Sequence, residues 1–371
     1  MKYRICNRCV MDTSDQYIEF DNSGNCNHCN HFINNTSKNV YKGKESDNKL
    51  KNLFDKIKKS RKNNKYDCII GVSGGVDSSY VAYLLKKYGL SPLAVHVDNG
   101  WDSKEAVANI KNICTKLEID YESHVLDWNE FKDIQLSILR SSIPEVEIPT
   151  DIAITGVLHR VASKNNIKYI VGGGNNATEG ILPESWFYDP KDSKLLKSIH
   201  KKFGSVSIKS FPFFDYKLEI FYKLIKGIRI VYPLNYTNFS KDNAIDELQN
   251  KLEWSNYGGK HHESIYTSFV QSYLQPVKFN LDYRRATLST QICMGDISRE
   301  DAIIELERSP YNVEKINFTK EYVCKKLSIT YDEMNDIMGL PVKSYRDYPN
   351  NKKTLEFIYK AYIKYFRKDV V

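Results

Sequence analysis

The chain is 371 residues long, with 41% hydrophobic and 27% charged residues, a composition that suits a globular protein of two domains and a small module. No apolar run is long enough to cross a bilayer, and residues 1–15 lack the apolar core of a signal sequence, so we expect a cytoplasmic protein without membrane attachment. The net charge of +8 lies mainly in residues 1–66, which hold 14 Lys and Arg against 7 Asp and Glu; this excess suits nucleic acid, an acidic partner or simply a solvated surface.

Four of the eight cysteines stand near the N-terminus, as two Cys-x-x-Cys pairs separated by 16 residues. In a chain expected in the cytoplasm, such clustering indicates metal binding rather than disulfides, and the spacing is typical of a zinc ribbon. We therefore predict a zinc-ribbon module over residues 1–40 with a closed, structural zinc site. His28 and His31 are weaker candidate ligands, and a redox pair or an iron–sulfur site is the alternative. The predicted zinc ligands are Cys6, Cys9, Cys26 and Cys29.

The next part of the chain predicts an α/β domain preceded by a helix. A charged stretch over residues 41–65, with Leu50 and Phe54 on one helical face, indicates a linker helix. Between residues 66 and 240, short apolar runs alternate with helical patterns, which predicts a parallel sheet with helices on both faces. Strands are expected at residues 68–72, 93–98, 121–126 and 168–171, and helices at residues 77–88, 103–117, 129–140 and 152–164.

The first predicted strand leads into a glycine turn, residues 73–78, that opens the first helix of this domain. Two glycines let the backbone close around an anion, the helix N-terminus adds N–H groups, and the aspartate can hold Mg²⁺ between phosphate oxygens. The string is neither a Walker A loop nor a GxGxxG dinucleotide motif. It resembles the PP-loop of the ATP pyrophosphatases, and a glycine-rich turn without a ligand is the alternative. The predicted phosphate contacts are Ser73, Gly74, Gly75, Asp77 and Ser78.

Two further strand ends carry residues suited to a nucleotide, because ligands of parallel sheets bind beyond the carboxyl ends of the strands. Asp98 follows the second strand and is predicted to contact the nucleoside. The fourth strand ends in the glycine-rich run 172–179, which resembles an element that ammonia-using synthetases place near pyrophosphate; a flexible surface loop is the alternative. In this run the predicted contacts are Gly173, Asn176, Thr178 and Glu179, and Glu179 is a second candidate for Mg²⁺ beside Asp77.

Residues 241–371 are predicted to form a mostly helical substrate-binding region, whereas residues 181–240 have poor periodicity. The helical region contains a set of basic and titratable residues that can bind phosphate groups and assist proton transfer. Its two adjacent histidines can equally bind a metal or pack internally. The candidate catalytic residues are His261, His262, Glu263, Lys278, Arg284 and Arg285.

The whole chain resembles the N-acetyl sugar amidotransferase family, which is associated with O-antigen and pseudaminic- or legionaminic-type sugar pathways. The resemblance spans residues 1 to about 310 and includes both cysteine pairs and the turn at residues 73–78. Its most specific part is Lys260-His261-His262-Glu263-Ser264 followed by Asp282-Tyr283-Arg284-Arg285-Ala286, whereas residues 291–294 depart from the family pattern. The resemblance implies an ATP-binding PP-loop domain with a HUP-type sheet over residues 66–240.

The resemblance also implies conversion of the N-acetyl group of a nucleotide-activated sugar into an acetamidino group. The amide oxygen attacks the α-phosphate of ATP and releases pyrophosphate, and ammonia then displaces AMP. ATP, Mg²⁺ and structural Zn²⁺ are the implied cofactors. No cysteine follows Met1, and none stands in a Gly-x-Cys-x-Gly elbow, so we expect ammonia from a separate glutaminase subunit, for which the basic N-terminal module is one docking surface.

Two other functions compete with this interpretation. A tRNA thiolation enzyme also combines a PP-loop with zinc-binding cysteines, but the remaining cysteines, Cys68, Cys114, Cys293 and Cys324, are isolated, and we do not expect nucleic acid as a partner. A non-catalytic zinc-ribbon scaffold with a degenerate nucleotide site is the third interpretation, and the intact Asp77 and Ser78 count against it.

Overall fold

The computed structural model describes residues 2–257 and 263–366, with side chains described through residue 360. Its parallel sheet contains β1 (Cys68–Gly71), β2 (Pro92–Asp98), β3 (Asp120–Val125), β4 (Tyr169–Val171) and β5 (Arg229–Val231), in the order β3-β2-β1-β4-β5. After β1 the chain adds β2 and β3 on one side of β1, and it then crosses over to add β4 and β5 on the other side. This reversal opens a crevice at the carboxyl ends of β1 and β4, where ligands of such sheets bind.

The helices are named in chain order. They are α1 Asn27–Asn34, α2 Gly43–Ser60, α3 Val76–Lys87, α4 Lys104–Lys116, α5 Trp128–Ser141, α6 Ile148–Lys164, α7 Asn176–Glu179, α8 Ser193–Phe203, α9 Tyr216–Ile220, α10 Lys241–Leu252, α11 Ile265–Phe269, α12 Gln275–Phe279, α13 Arg284–Met294, α14 Arg299–Glu307, α15 Ile316–Leu327, α16 Tyr331–Gly339 and α17 Lys352–Phe366.

Both faces of the sheet are covered, as the alternation of strands and helices predicts. On one face Ile70 packs in a buried cluster with Val81 and Leu85 of α3 and with residues of α2, α4 and α10. On the other face Ile69 packs with residues of β2, β4 and α6. Successive residues of a strand point to opposite faces, so β1 is apolar on both sides because both sides are buried. The predicted α/β fold class is confirmed.

The C-terminal half is mostly helical, as predicted, and it shares a second core with the sheet domain. Phe131 of α5, Phe269 of α11 and Val323 of α15 lie in one buried cluster with residues of α8 and α16. Trp101, in the loop after β2, belongs to the same cluster, and its Nε1 donates to Gln135 Oε1 at 2.7 Å. The loop at the carboxyl end of β2 is thereby joined to the helical half, which brings that half to the crevice.

The helical stretch that begins with α11 at Ile265 continues past a proline. A π-helical turn, Val270–Leu274, joins α11 to α12, and Pro276 lies in the first turn of α12. Proline has no N–H to donate and its ring crowds the carbonyl four residues earlier, so a wider turn just before Pro276 lets the helix continue to Phe279. The sequence pattern alone favours an end at the proline.

The aperiodic region 181–240 is ordered by buried carboxylates of another helix. Glu130 on α5 accepts the N–H groups of Lys209, Ser210 and Phe211 at 2.9–3.0 Å. Asp133, one turn later, accepts the N–H groups of Ser205 and Val206. These contacts come from residues about 75 positions away in the chain, so hydrophobic periodicity predicts neither them nor α8, α9 and β5.

The boundaries predicted at residues 40, 65 and 240 stay predictions. Helix α2 begins at Gly43 and buries Leu50 and Phe54, in agreement with a helix before the sheet. Helix α10, however, packs Ala244 and Leu248 into the cluster that covers the sheet, so it belongs with the nucleotide domain in packing terms. Within residues 2–257 and 263–366, no helix combines the length and the apolar character needed to span a membrane.

Candidate nucleotide site and the adjoining cavity

The glycine turn after β1 has a backbone that requires glycine at its second position. Gly74 has φ +78°, and a Cβ there would lie 2.4 Å from the carbonyl oxygen of Ala106. The Gly74 carbonyl accepts hydrogen bonds from Trp254 Nε1 at 2.9 Å and Asn109 Nδ2 at 3.2 Å. Side chains from other parts of the chain thus hold the turn in place. Helix α3 begins immediately after the turn, and a glycine turn followed by a helix N-terminus is the arrangement of an anion site.

A cavity of about 290 Å³ lies against this turn, and we call it the phosphate cavity. Ser73, Gly75, Asp77 and Ser78 line it from the β1 side. From the β4 side, Gly173 approaches so closely that a Cβ would lie 3.0 Å from the backbone nitrogen of Ser78. The structure therefore brings together two of the predicted strand-end groups, because β1 and β4 are neighbours in the sheet.

The short helix α7 presents Glu179 to the phosphate cavity. Asn175 caps this helix, since its Oδ1 accepts the N–H of Thr178 at 2.9 Å and the hydroxyl of Thr178 at 3.1 Å. The N–H of Asn176 donates to Asn235 Oδ1 at 2.7 Å. Thr178 and Asn176 are thus engaged in holding the turn, and their predicted contacts with a nucleotide stay predictions.

Three further side chains line the phosphate cavity from the C-terminal side of the chain. Glu263, a predicted catalytic residue, places Oε1 3.4 Å from Ser73 Oγ. Lys241 and Tyr257 also line the cavity and are absent from the sequence-based site. Lys241 is the first residue of α10, and only tertiary packing places it on the cavity wall. The predicted residues His261 and His262 lie outside the described residues, as does Lys260.

A second, larger cavity of about 1190 Å³ adjoins the first, and Ser73, Glu179, Lys241 and Glu263 line both. It lies over the carboxyl ends of the sheet strands and extends toward α6, α12 and α13. We call it the acceptor cavity. Among the described residues that line it are aromatic side chains, and there the carboxylates Asp102, Glu145, Glu147, Asp151, Glu179, Glu263 and Glu305 outnumber the lysine and arginine side chains, Lys241 and Arg284.

Strand β2 and the loop after it contribute a histidine–carboxylate pair, His96 and Asp102, to the acceptor cavity. His96 Nδ1 is 2.9 Å from the carbonyl oxygen of Val72, and its Nε2 is 2.9 Å from Asp102 Oδ2. Burial opposes protonation of the imidazole, but the Asp102 carboxylate outweighs it and raises the pKa of His96. Asp98 accepts the N–H of Gly100 at 2.8 Å through Oδ1, and its predicted contact with a nucleoside stays a prediction.

The three predicted basic residues of the helical region face three different environments. Arg284 lines the acceptor cavity and pairs with Asp282 at 2.7 Å. Arg285 points to the zinc-ribbon module, where it bonds the Val10 carbonyl oxygen at 2.9 Å and Asp12 at 3.1 Å. Lys278 donates to three carbonyl oxygens at the end of α16. These three residues are close in the sequence, but their side chains do not form one cluster. Catalytic roles for Lys278 and Arg285 stay predictions.

Lys278 has the contacts of a helix cap. Its Nζ lies 2.7, 3.1 and 2.9 Å from the carbonyl oxygens of Ile337, Met338 and Leu340. Lys278→Met is expected to lower the free energy of unfolding by about 1–3 kcal/mol, because these carbonyls lose a charged donor. Urea unfolding measures this, with exposed Lys56→Met as the control. Unchanged stability together with a large loss of turnover would instead assign Lys278 to catalysis.

Glu145 is a buried carboxylate on the wall of the acceptor cavity. Its side chain is 9% exposed, and its Oε2 has no hydrogen-bond partner among the described residues. Burial raises the pKa of Glu145 to about 7. No motif marks this residue in the sequence, because its burial arises only from tertiary packing.

The raised pKa of Glu145 predicts a pH-dependent stability. Below the ordinary pKa of 4.5 the carboxyl is protonated in both states. As the pH rises from there to about 7, the unfolded chain loses this proton while the folded protein keeps it, so the free energy of unfolding falls by roughly 3 kcal/mol in all. Glu145→Gln is expected to remove this decrease, and exposed Glu321→Gln to retain it. Urea unfolding from pH 4.5 to 8 compares the three proteins, and identical pH profiles would contradict the assignment.

The four N-terminal cysteines form a cluster whose geometry fits zinc. Their sulfur atoms all lie within 4.8 Å of one another, with 3.7 Å between Cys6 and Cys29 and 3.5 Å between Cys9 and Cys26. A tetrahedral site with Zn–S bonds of about 2.3 Å has sulfur separations of about 3.8 Å. The N–H groups of Cys9 and Cys26 point to Cys6 Sγ at 3.4 and 3.1 Å, which suits a thiolate. The four-sulfur cluster is therefore compatible with a structural zinc site.

The segment that carries the four-cysteine cluster, the predicted zinc-ribbon module, is attached to the helical region through the backbone of its first Cys-x-x-Cys pair. Arg299 on α14 donates to the carbonyl oxygens of Cys6 and Cys9 at 2.9–3.2 Å. Phe32 of α1 is fully buried in a cluster with Ala286 of α13. Because α13 also carries Arg284, the module supports one wall of the acceptor cavity.

Comparison with known proteins divides the chain into two recognisable segments. Residues 67–167 match the family of queuosine biosynthesis protein QueC, and residues 263–363 match the C-terminal domain of LPS biosynthesis protein WbpG-like proteins. The glycine turn at residues 73–78 lies within the QueC-like segment. The order of the strands in the sheet, the glycine turn and the family match all support the PP-loop ATP pyrophosphatase superfamily.

Individual relatives match only in part. The chain is 26% identical over 205 residues to tRNA-specific 2-thiouridylase MnmA 2 of Fusobacterium nucleatum, covering 53% of this chain and 54% of the relative. It is 30% identical over 122 residues to a probable mitochondrial tRNA-specific 2-thiouridylase 1 of Caenorhabditis elegans, covering 28% and 32%. The chain thus spans about half or less of the length of these curated relatives.

Two synthetases are among the solved structures that align with this chain. NMN synthetase from Francisella tularensis aligns with a TM-score of 0.37 and 15% identity, covering 82% of this chain and 98% of that chain. NH3-dependent NAD synthetase from Campylobacter jejuni aligns with a TM-score of 0.28 and 18% identity, covering 56% and 84%.

Proposed function

We propose that the protein is an ATP-dependent amidotransferase that converts the N-acetyl group of a nucleotide-activated sugar into an acetamidino group. The observation that carries this proposal is that two recognisable segments share one cavity. The PP-loop domain supplies the phosphate turn, and the WbpG-like segment supplies Glu263, Arg284 and Glu305 of the acceptor cavity. A segment of the kind found in lipopolysaccharide biosynthesis, placed against an ATP-type site, suits a sugar as the second substrate.

The reaction needs both cavities because an amide is a poor electrophile. The amide oxygen attacks the α-phosphorus of ATP, the bond to the β-phosphate breaks, and pyrophosphate leaves. Ammonia then adds to the activated carbon, the C–O bond breaks, and AMP leaves. The phosphate cavity suits the pyrophosphate, and the acceptor cavity, at about 1190 Å³, exceeds the roughly 300–1,000 Å³ of a pocket for one small ligand. There is room for a second substrate beside the nucleotide.

The residues of the phosphate cavity have distinct proposed roles. The turn at residues 73–78 binds the phosphates through its backbone N–H groups and hydroxyls. Asp77 and Glu179 line the same cavity and would hold Mg²⁺, which neutralises phosphate charge when bound. Lys241 also lines this cavity and adds a positive charge. Together they favour the charge that develops as pyrophosphate departs.

The cysteines favour amidotransfer over thiolation. None of the residues described as lining the two cavities is a cysteine. Cys68 is fully buried in β1, where burial raises the pKa of its thiol, and burial likewise raises the pKa of Cys114 to about 11. Thiols held protonated in a core are poor nucleophiles and poor sulfur carriers. The similarity to 2-thiouridylases nevertheless makes tRNA thiolation the second candidate.

We further propose that a separate glutaminase subunit supplies the ammonia. The support comes from the sequence, in which no cysteine stands in a Gly-x-Cys-x-Gly elbow. The purified single chain should then use ammonium salts but not glutamine. Full activity with glutamine alone would exclude the partner.

The test is pyrophosphate release from ATP in the presence of ammonium, compared between a panel of nucleotide-activated N-acetyl sugars and bulk tRNA. Product masses are read in parallel. Release triggered by a sugar, with a product lighter by the difference between O and NH, supports amidotransfer and identifies the substrate. Release triggered only by tRNA supports thiolation instead. Absence of release with every substrate class favours the non-catalytic scaffold.

A further inference from the structure

The buried side chain of His96 connects two elements that line the acceptor cavity. Its Nδ1 lies 2.9 Å from the carbonyl oxygen of Val72, the residue before the turn at residues 73–78, and its Nε2 lies 2.9 Å from Asp102 Oδ2. A carbonyl oxygen and a carboxylate oxygen only accept hydrogen bonds, so both contacts are satisfied when both ring nitrogens carry a proton. A neutral imidazole has a single N–H and would face one of these oxygens with a lone pair. The two contacts therefore fit an imidazolium.

The loop after β2 is in turn paired with the start of the WbpG-like segment. Asp102 and Ser264 form an antiparallel bridge, and the N–H of Ser103 donates to the carbonyl oxygen of Glu263 at 2.8 Å. Glu263 lines both cavities, and its Oε1 lies 3.4 Å from Ser73 Oγ. Because the loop and this segment are bonded to each other, the position of Asp102 relative to β1 affects where Glu263 stands against the turn.

Several titratable groups surround the His96 imidazole. Burial opposes its protonation, but Asp102 and, after it, Asp98 act in the other direction, and the pKa of His96 is raised above its ordinary value of 6.5. The ring of Tyr121 on β3 is stacked against the imidazole, with the ring centroids 6.5 Å apart. Since folding raises this pKa, the stabilisation from the proton is complete below pH 6.5 and is lost as the pH rises through the pKa of the folded protein. Helix α6 and the WbpG-like segment contribute further titratable groups to the cavity wall, namely Asp151, His159 and Glu263.

We propose that His96 is a positioning residue whose imidazolium ties the end of β1 to the loop after β2 and thereby holds Glu263 at the turn at residues 73–78. His96 acts through Val72 and Asp102, and this role requires no contact with a substrate. When the proton leaves, one of the two hydrogen bonds is lost and the Asp102 carboxylate faces a ring lone pair, so the loop separates from β1 and the phosphate cavity loosens. The inference rests on the proposed function only in taking ATP as the nucleotide, and ATP is common to amidotransfer and thiolation.

The first part of the test needs no ligand. The full chain labelled with ¹⁵N-histidine is titrated by NMR from pH 6 to 9. Hydrogen exchange is measured over the same range for peptides that contain Ser103 and Ile265, whose N–H groups bond across the loop and the WbpG-like segment, and is corrected for the intrinsic rate at each pH. Both ring nitrogens of His96 are expected to be protonated at pH 6, and exchange is expected to become about fivefold faster above the histidine midpoint, which is the effect of one lost hydrogen bond. A neutral His96 at pH 6, or exchange that does not change across its midpoint, overturns the proposal.

Asp102→Asn separates the charge of the bridge from its shape. The new amide can donate to Nε2 of a neutral His96, whose Nδ1 still donates to Val72, so the bridge persists without a charge. Exchange in this variant is expected to be independent of pH, and the shift of one histidine signal identifies His96. His124→Gln on β3 removes a histidine outside the described lining of both cavities and is expected to retain the wild-type profile. Equal profiles for wild type and Asp102→Asn overturn the charged bridge. If Asp102→Asn does not fold, the two midpoints in wild type still decide, because they must coincide.

The second part connects the bridge to ATP. The affinity for ATP with Mg²⁺ is measured by calorimetry from pH 6.5 to 9, and each wild-type value is divided by that of Asp102→Asn, which removes the titration of the nucleotide and the buffer. The ratio is expected to fall about fivefold across the His96 midpoint. If exchange follows His96 but the ratio is constant, His96 does not position the turn and the proposal fails. If wild type binds no ATP at any pH, the proposed function fails, and the exchange measurements still decide whether His96 holds the loop to β1.

Discussion

Asp77→Asn is expected to lower kcat/KM for ATP by about 10²- to 10³-fold while leaving the fold intact. The substitution keeps the shape of the side chain and removes its charge. Asp77 lies in the first turn of α3 and lines the phosphate cavity together with Glu179. If these carboxylates hold Mg²⁺ between phosphate oxygens, loss of one charge weakens the metal site in the ground state and during pyrophosphate departure.

Two measurements separate this role from a general loss of structure. Calorimetric titration with ATP, in the presence and absence of Mg²⁺, is expected to show a large gain in affinity from Mg²⁺ in wild type and little gain in Asp77→Asn. Exposed Asp47→Asn on α2 serves as the matched control and should behave as wild type. If Mg²⁺ raised the affinity for ATP equally in Asp77→Asn and Asp47→Asn, the metal assignment would be contradicted, even if Asp77→Asn had lost turnover.

The parts of the site that the sequence predicts are those in which chemistry and backbone are specified locally. The turn at residues 73–78 needs glycine at Gly74 for its positive φ, and the following helix begins at once. The sequence also indicates that the ends of β1 and β4 matter. It does not state that these strands are neighbours, but the rule that ligands bind at the carboxyl ends brings Asp77 and Glu179 to the same edge.

The parts that the sequence does not predict depend on side-chain direction and burial. Lys278, Arg284 and Arg285 are close in sequence, yet they contact the end of α16, the acceptor cavity and the zinc-ribbon module respectively. Glu145 lies on the wall of the acceptor cavity and is buried only by tertiary packing. Composition and spacing contain no measure of burial, so neither the isolated carboxylate nor its raised pKa is visible before the structure.

Loss of the zinc site is expected to have the largest effect on stability. Cys26→Ser removes one of the four predicted zinc ligands. It also changes the N-cap of α1, because Cys26 Sγ accepts the N–H of Cys29. Zinc binding provides about 10–16 kcal/mol in small zinc-dependent domains, more than the net stability of a typical domain. The module over residues 1–40 is therefore expected to unfold in Cys26→Ser, and in wild type after treatment with a strong chelator. Metal analysis and limited proteolysis of the N-terminal segment measure this.

Cys293 offers a matched control for this experiment. Its thiol contacts that of Cys29, but it belongs to α13 and stands outside the four-sulfur group. Cys293→Ser is expected to retain one equivalent of zinc and the wild-type proteolysis pattern. Loss of metal in this variant would assign Cys293 to the metal site, and a coloured, iron-containing wild-type protein would replace zinc by an iron–sulfur centre.

The effect of zinc loss should extend beyond the module. Arg299 bonds the carbonyl oxygens of Cys6 and Cys9, and Arg285 bonds Asp12, so two helices of the WbpG-like segment lose polar partners when the ribbon unfolds. Since α13 also carries Arg284 on the cavity wall, turnover should fall together with the metal content. ATP binding at the PP-loop turn, which lies on β1 and α3, should change less. A chelated protein with normal turnover would show that the ribbon stabilises the chain without shaping the acceptor cavity.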